Sequence, residues 1–554
     1  MDIIESQPGA AATNIWSGVD RCKTLARTIK ARRAPVWPSP TAPQLPSKDL
    51  ADSLVDGYLQ TSESIYRILH VPLFLREYNA FWELGDKTPN PVFLVQLYLI
   101  LAIGATTHDD QFSLRPSAVR WVSVAHTWLY TPAIKPRLDL RSIQVELLYL
   151  LAQEQVALKG SSTYILAGAL LRKAICIGLH RSPRHLKQGV ALTAEMRRRL
   201  WNTILEITLQ SSLTSDGPPL ISLDDFDIEA PENLDDDQLV TEEPRPWPME
   251  HFTQASVAIL LRQTFPQRLA VVKFLNDLGP SNTHQRAMQL DADLREAYQL
   301  LVRRLQSWRP LGRCQLEVRV VDFIMHRYLL SLHIPYFTRA AEFCFSRQEV
   351  VRFSLKIWRA TFAAPDPAGS SGSSGSSPQS DGDNLLMARL VTCTSGFYPT
   401  VAIHAAFLIA QELRMQLQEE GLTSVPLRPD LLSLLDESKA WCLRVIDAGE
   451  TNIKGFLLMS ILTAHVRGLS KDLNKQEMAQ LLAEEVGNVV DRCLPILEQW
   501  ASDLAQQDAT KPTGPLGPVD AADTMEDWGF LVSRFGERHF LSRSLLLACC
   551  SCLL

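Results

Sequence analysis

Residues 163–239 read TYILAGALLRKAICIGLHRSPRHLKQGVALTAEMRRRLWNTILEITLQSSLTSDGPPLISLDDFDIEAPENLDDDQL. From Tyr164 onward, apolar or small residues fall at Ala167, Leu171, Ala174, Ile175 and Gly178, the stripe of an amphipathic helix, with Arg172 and Lys173 pointing away. Thr163 is a suitable N-cap. Gly178 lets the chain leave the helix at Leu179 and His180, and Pro183 prevents its return. A second helix is predicted to open at Thr193, with Glu195 near its positive end. It carries Trp201, Ile204, Leu205, Thr208 and Leu209 on one face and stops at Gly217, Pro218 and Pro219. An acidic loop follows, with ten acids between 224 and 243 and no Lys or Arg until Arg245.

The same period recurs on both sides of this stretch. Aromatic anchors Tyr58, Tyr66, Phe74, Tyr78, Phe81 and Trp82 sit near helical spacing, which favours core packing over a cofactor box. Asn90 and Pro91 open a helix too short for a membrane span, and so a buried one. Further helices are predicted over 120–130, over 142–152 with Ser142 as cap, and over 250–278, 286–307, 315–334, 431–448 and 477–504. No strand-like alternation occurs. The predicted fold is all-α: a multi-helix array in two packed subdomains behind a disordered N-terminal tail. Its parts are a basic, Pro-rich tail (1–48), a main helical domain (49–362), a Gly/Ser-rich linker (363–384), a C-terminal helical subdomain (385–506), and a Pro/Gly loop with tail (507–554).

Hydrophobic residues at 46% and charged residues at 21% are those of an ordinary soluble globular chain. The net charge of -6 gives no overall electrostatic case for nucleic acid. The tail is the local exception, with Arg21, Lys23, Arg27, Lys30, Arg32 and Arg33 uninterrupted by an acid. It reads as a nuclear-import signal, a DNA-backbone contact or a solvated tail. The ten scattered cysteines fit a reduced compartment, and the first residues lack a secretory signal.

In order, the stretch resembles the fungal-specific transcription factor domain, the middle homology region of zinc-cluster regulators. The resemblance is carried by Gly168-Ala169, the turn Gly178, Leu179, His180 and Arg181, the helix with Glu195, Arg197, Arg198, Arg199, Leu200 and Trp201, the turn Gly217-Pro218-Pro219, and the loop from Asp225 to Asp237 with Asp227 and Pro231. A weaker likeness takes in Arg67-Ile-Leu-His-Val-Pro and Leu332-His-Ile-Pro-Tyr-Phe. One departure stands out: many members place Gly-Arg-Pro where this chain has Asp216-Gly217-Pro218. The resemblance implies a nuclear, non-enzymatic regulator of transcription, often of a secondary-metabolite gene cluster. It implies structural roles for these motif residues, other transcription factors or a second copy as partners, and a small-molecule effector in an interhelical pocket; no membrane is expected. It also implies zinc, yet residues 1–48 hold only Cys22, and one thiolate cannot fill a tetrahedral site. The chain is therefore expected to carry no cofactor, and to reach DNA weakly through its basic run or through a partner that holds the zinc cluster. A co-regulator docking on a complete zinc-cluster protein is the alternative.

Catalytic constellations were weighed against this. Helical prenyl-diphosphate enzymes hold magnesium with D-D-x-x-D/E. Here Asp224-Asp225 is followed by Ile228 at the required place, and Asp235-Asp236 by Leu239. Their second motif fails at Pro280. His180 and His185 lack further metal ligands nearby, and His180 is expected to meet helix-terminal carbonyls. Arg197, Arg198 and Arg199 diverge around a helix, so ion pairing between elements suits them better than a duplex. At the C-terminus, Ser551 stands where prenylation needs Cys; Cys549, Cys550 and Cys552 leave palmitoylation open. Residues 525–531, MEDWGFL, form an acidic-aromatic patch that reads as an activation segment or a docking helix.

Overall fold

The computed structural model describes residues 10–33, 44–84, 90–131, 138–156, 163–183, 191–241, 244–279, 283–308, 315–338, 343–362, 378–419 and 428–509. Among them no strand occurs, as the all-helical reading expects. In chain order the helices are α1 (Ala10–Arg33), α2 (Lys48–Tyr58), α3 (Val71–Leu84), α4 (Pro91–Ala105), α5 (Arg115–Tyr130), α6 (Leu140–Val156), α7 (Thr163–Cys176) and α8 (Ala191–Thr214). They continue with α9 (Ser256–Leu275), α10 (His284–Trp308), α11 (Gln315–His333), α12 (Cys344–Thr361), α13 (Pro378–Cys393) and α14 (Phe397–Glu419). The last three are α15 (Pro429–Asp447), α16 (Lys454–Leu469) and α17 (Lys475–Ala509).

The chain divides into two compact units: Trp37–His333 with Lys356–Val401, and Met1–Val36 with Ile334–Leu355 and Ala402–Leu554. This differs from the predicted split at the Gly/Ser-rich segment. The reason is burial: Met387, Leu390, Val391 and Cys393 of α13 lie in a core, and α13 packs on α11. Residues 363–377 of the predicted linker lie outside the described residues, and its last part, from Pro378, is already helix.

In the first unit α4 is the central rod, buried at nearly every position from Phe93 to Ala105. It crosses α2 closely enough that a Cβ on Gly104 would stand 1.9 Å from the Leu54 carbonyl oxygen. That contact explains a glycine inside a helix, where it otherwise costs about 1 kcal/mol. The cap of α6 is Asp139 rather than Ser142: its Oδ1 accepts from Ser142 N–H at 2.8 Å. Among the described residues, no single helix is long and apolar enough to cross a membrane.

In the second unit α1 packs along α17. Val19, Cys22, Ala26 and Ile29 form the buried stripe, and a Cβ on Gly18 would stand 2.6 Å from Val490 Cγ1. Part of the stretch expected to be disordered is therefore helical instead. A 3–4 spacing of small apolar residues ran beneath the charges, and packing on α17 supplies what helix propensity alone does not. The remainder of 1–48 before Gln44, and nearly all of 507–554, lie outside the described residues.

Candidate functional site

The predicted motif residues other than Gly217 and Pro218 gather about the C-terminal end of α7 and the N-terminal half of α8. Helix α7 ends as the sequence demands: Gly178 adopts φ +70, its N–H bonds to the Ile175 carbonyl, and Leu179 N–H to the Ala174 carbonyl, both at 2.9 Å. This pair of closing bonds satisfies two of the terminal carbonyls of the helix. The Gly178 carbonyl is then free to accept from the Arg197 guanidinium and from Arg181 N–H. Burial holds the Arg197 guanidinium below its ordinary range.

The turn is also the edge on which the acidic loop docks. The His180 carbonyl accepts from Asp227 N–H and Ile228 N–H, each at 3.2 Å. Asp227 Oδ1 accepts from Ser182 N–H at 2.8 Å, and the Ser182 hydroxyl reaches Glu229. Arg181 and Asp227 make a looser, exposed pair at 3.9 Å. The His180 ring corrects its expected role: it lies tilted against Trp201, with centroids 6.1 Å apart. Gly178 turns the chain out of the helix before His180, and the ring's Nδ1 is buried without a hydrogen-bond partner. Burial, then Arg181 and Arg197, hold its pKa below the ordinary histidine value, against the pull of Asp227.

Beneath the turn is a buried ionic centre. Asp236, with no solvent exposure, accepts from Arg67 Nη2 at 2.7 Å, from Arg199 Nη1, and from Val71 N–H at 2.9 Å. Its own carbonyl meets His70 Nε2 at 2.9 Å. Arg199 continues to Glu195 Oε1 at 3.2 Å and the Leu234 carbonyl at 3.2 Å. Glu195 accepts from Glu232 N–H and pairs with Arg198, which also reaches Glu232 at 3.0 Å. On the far side Arg67 sits 3.9 Å from Glu63, which accepts from the Tyr58 hydroxyl and from Leu69 N–H. Arg67 holds a left-handed backbone, φ 54, to do this. Burial raises Asp236, but Arg67 and Arg199 outweigh it and hold the carboxyl at about 2. Burial raises Glu63 and Glu195, against Arg67 and Arg199 respectively. The expectation that the arginine triplet pairs between elements is met by Arg198 and Arg199.

Two further devices fix the loop. Asn233, buried, donates Nδ2 to the carbonyls of Trp247, Pro248 and His251 and accepts the hydroxyls of Thr253 and Ser256. A column of rings runs on from His180: Trp201 to Phe226 at 5.6 Å, Arg262 over Phe226 at 4.7 Å, and Arg262 over Phe265 at 5.4 Å. Burial, aided by the neighbouring Arg268, holds Arg262 at about 10. Pro231 is buried in the loop, while Asp225 only closes its own turn by accepting from Ser222 N–H.

At the other end of α8, Asp216 holds the left-handed position (φ 50) and Gly217 N–H closes on the Ser212 carbonyl at 3.0 Å. Gly217 is required by packing, since a Cβ would stand 2.7 Å from Tyr164 Cζ. The Tyr164 hydroxyl donates to the Pro218 carbonyl at 2.8 Å. The departure from Gly-Arg-Pro thus leaves the turn intact, with an aspartate carrying the strain.

The basic run is placed elsewhere, on α1. Arg21 pairs with Glu498, Lys23 with Asp20 at 2.9 Å, and Arg32 donates to the Ala501 carbonyl at 2.7 Å. Arg33 donates to the Gly449 carbonyl at 2.7 Å and lies over Trp500. Arg27 and Lys30 have interactions as well. His185 lies outside the described residues. Sequence reasoning missed Glu63, Arg67 and Asn233 as members of the centre; the signal was there in the Arg67-Ile-Leu-His-Val-Pro string, but its partner lies 169 positions away. Chemically the centre is a clamp. Its acids spend their oxygens on guanidiniums and backbone N–H groups.

Residues 55–309 match the family described as the fungal specific transcription factor domain. The chain is 36% identical to the transcription factor opdR of Penicillium oxalicum, over 58% of this chain and 42% of that one. It is 30% identical to the transcription factor lepE of Aspergillus flavus, over 88% and 60% respectively. The aspyridones cluster regulator apdR of Emericella nidulans is 28% identical over 62% and 47%. The chain therefore spans about half the length of the curated relatives it matches. No solved structure matches it. Residues 55–309 are a fungal specific transcription factor domain, and the motif residues gathered above fall within it.

Proposed function

We propose that the chain is a nuclear regulator of transcription that controls a secondary-metabolite gene cluster in a fungus. The helical domain over 55–309 is its regulatory and protein-contact body, and DNA contact comes from a zinc-cluster module outside these 554 residues. The observation that carries the reading is the clamp itself. The residues that carry the resemblance serve as helix closures, ion pairs and loop anchors, so this part of the domain holds a shape. Relatives named as transcription factors and as a cluster regulator support the rest.

A second reading, a co-regulator that docks on a complete zinc-cluster protein, is favoured by the engagement of the α1 cations. Arg21, Arg32 and Arg33 spend donors on Glu498, Ala501 and Gly449, which weakens their case as phosphate contacts. Deletion of the gene followed by transcript profiling tests the regulatory reading: coordinated change in one biosynthetic cluster is expected, and an unchanged transcriptome contradicts it. A gel shift with the purified chain tests both versions at once. Weak retention that vanishes with added salt is expected of the chain by itself; tight sequence-specific retention contradicts both.

A further inference from the structure

A small cleft in the first unit opens between α6, α8 and the turn before α14, lined by Tyr66, Glu154, Gln155, Gln210, Ser211 and Phe397, with Tyr398 beside them. It is built rather than left over. Ser395 N–H donates to the Gln155 carbonyl and Phe397 N–H to Glu154 Oε1, both at 2.9 Å. Gly396 between them holds φ +82, and a Cβ there would stand 2.2 Å from Glu154 Cγ, so both backbone and packing require glycine.

The donors lining the cleft are largely consumed. The Tyr66 hydroxyl donates to Gln210 Oε1 at 3.1 Å, Gln210 Nε2 to Glu206 at 2.7 Å, and the Ser211 hydroxyl to the Thr208 carbonyl at 3.0 Å. Gln155 is only 5% exposed; its Nε2 donates to Ser62 Oγ at 3.4 Å, and its Oε1 has no hydrogen-bond partner. A buried carbonyl oxygen left without a donor costs free energy and calls for a ligand or a water. What the walls offer is one unpartnered acceptor, Gln155 Oε1, the charge of the already engaged Glu154 carboxylate, and the ring faces of Tyr66, Phe397 and Tyr398. Burial, then the charges of Glu154 and Glu206, push the Tyr398 hydroxyl up. The room amounts to about 30 Å³ for atom centres, enough for a head group of one or two heavy atoms.

We propose that this cleft binds a small primary ammonium group at the end of an aliphatic chain, donating to Gln155 Oε1 and resting against the rings. An ammonium supplies three donors and a charge that ring faces and a carboxylate attract. A carboxylate or phosphate would meet Glu154 instead and is repelled. The site deepens the regulatory reading by giving the effector a chemistry; it rests on that reading only for its consequence in the cell.

The test is calorimetric titration of the purified chain with n-butylammonium chloride at fixed ionic strength, beside n-butanol and sodium butyrate. Saturable binding of n-butylammonium alone is expected, weakened at least tenfold in Gln155→Met, which keeps shape and removes the acceptor. Ser211→Ala, a milder change beside the head group, is expected to bind within a few fold of wild type. No saturable binding to the wild-type chain overturns the proposal and leaves a water-filled void; so does equal binding of butanol, or an unchanged Gln155→Met. If binding holds while transcripts do not respond to deletion, the regulatory reading falls and the site stands.

Discussion

Replacing Asp236 by alanine strips one carboxylate from two buried guanidiniums and a backbone N–H at once. Removing one partner of a buried ion pair costs about 3–5 kcal/mol, because the other charge is left uncompensated. The lost bond from Val71 N–H adds about 1 kcal/mol. Asp236→Ala is therefore expected to lower the stability of the first unit by about 4–6 kcal/mol, and Asp236→Asn by less, since it keeps an acceptor. A pH argument gives an independent handle. The carboxyl lies at about 2 when folded against an ordinary 3.8, worth about 2–3 kcal/mol at ~1.4 per unit. A depressed carboxyl contributes stability that is present above about pH 4 and lost as pH falls through about 2. Glu63 and Glu195, raised by burial, run the other way: their share is present below the ordinary carboxyl range and lost as pH rises through their raised values. The assay is urea unfolding at several pH values, followed by the fluorescence of the chain's tryptophans, among them Trp201, which packs on the His180 turn. The wild-type chain should lose stability between pH 4 and 2, and the alanine variant should lack that share. In a double-mutant cycle with Arg67→Ala, the two losses should fail to add by about 1–3 kcal/mol. A loss below about 1 kcal/mol for Asp236→Ala, or additivity in the cycle, would refute the reasoning.

Other perturbations test the closures and the crossings. Gly178→Ala meets no neighbour but is held at φ +70, so its cost should be about 1 kcal/mol by thermal unfolding, from backbone strain alone. Gly104→Ala should cost clearly more, about 3 kcal/mol, because the α2 backbone must retreat from the new methyl. Asp472→Gly replaces an exposed residue at φ 51 and is expected to stabilise its unit by about 0.5–1 kcal/mol; a loss would show that the side chain contributes more than its strain. Arg21→Ala breaks only a largely exposed pair and should change the melting curve by less than about 1 kcal/mol, whereas Ile29→Ala, in the α1–α17 seam, should cost about 2–4 kcal/mol.

The helices of the first unit were legible because their signals are local. Gly178 and Gly217-Pro218 mark ends that depend on a few residues, and the stripe along α7 needs no knowledge of its neighbours. The ionic centre was half legible: the arginine triplet and the acidic loop were visible as candidates for each other, but nothing local says that Asp236, among ten acids, is the buried one. Its selection depends on Arg67 arriving from another part of the fold at a strained backbone angle. Helix α1 was hidden because charge and nearby prolines dominate its composition, while Val19, Cys22, Ala26 and Ile29 show their purpose only beside α17. Asp139 displaced Ser142 as a cap for a similar reason: both are good caps, and register within the helix decides between them.

The proposed role is that of a clamped domain acting in transcription through other macromolecules. Chromatin immunoprecipitation of the tagged chain tests it most directly, with Asp472→Gly as a folded control and Asp236→Ala as the unclamped form. Enrichment at the promoters of one biosynthetic cluster, kept in the control and lost with Asp236→Ala, is the predicted result. No enrichment of the wild-type chain over input, or undiminished occupancy by Asp236→Ala, would contradict it.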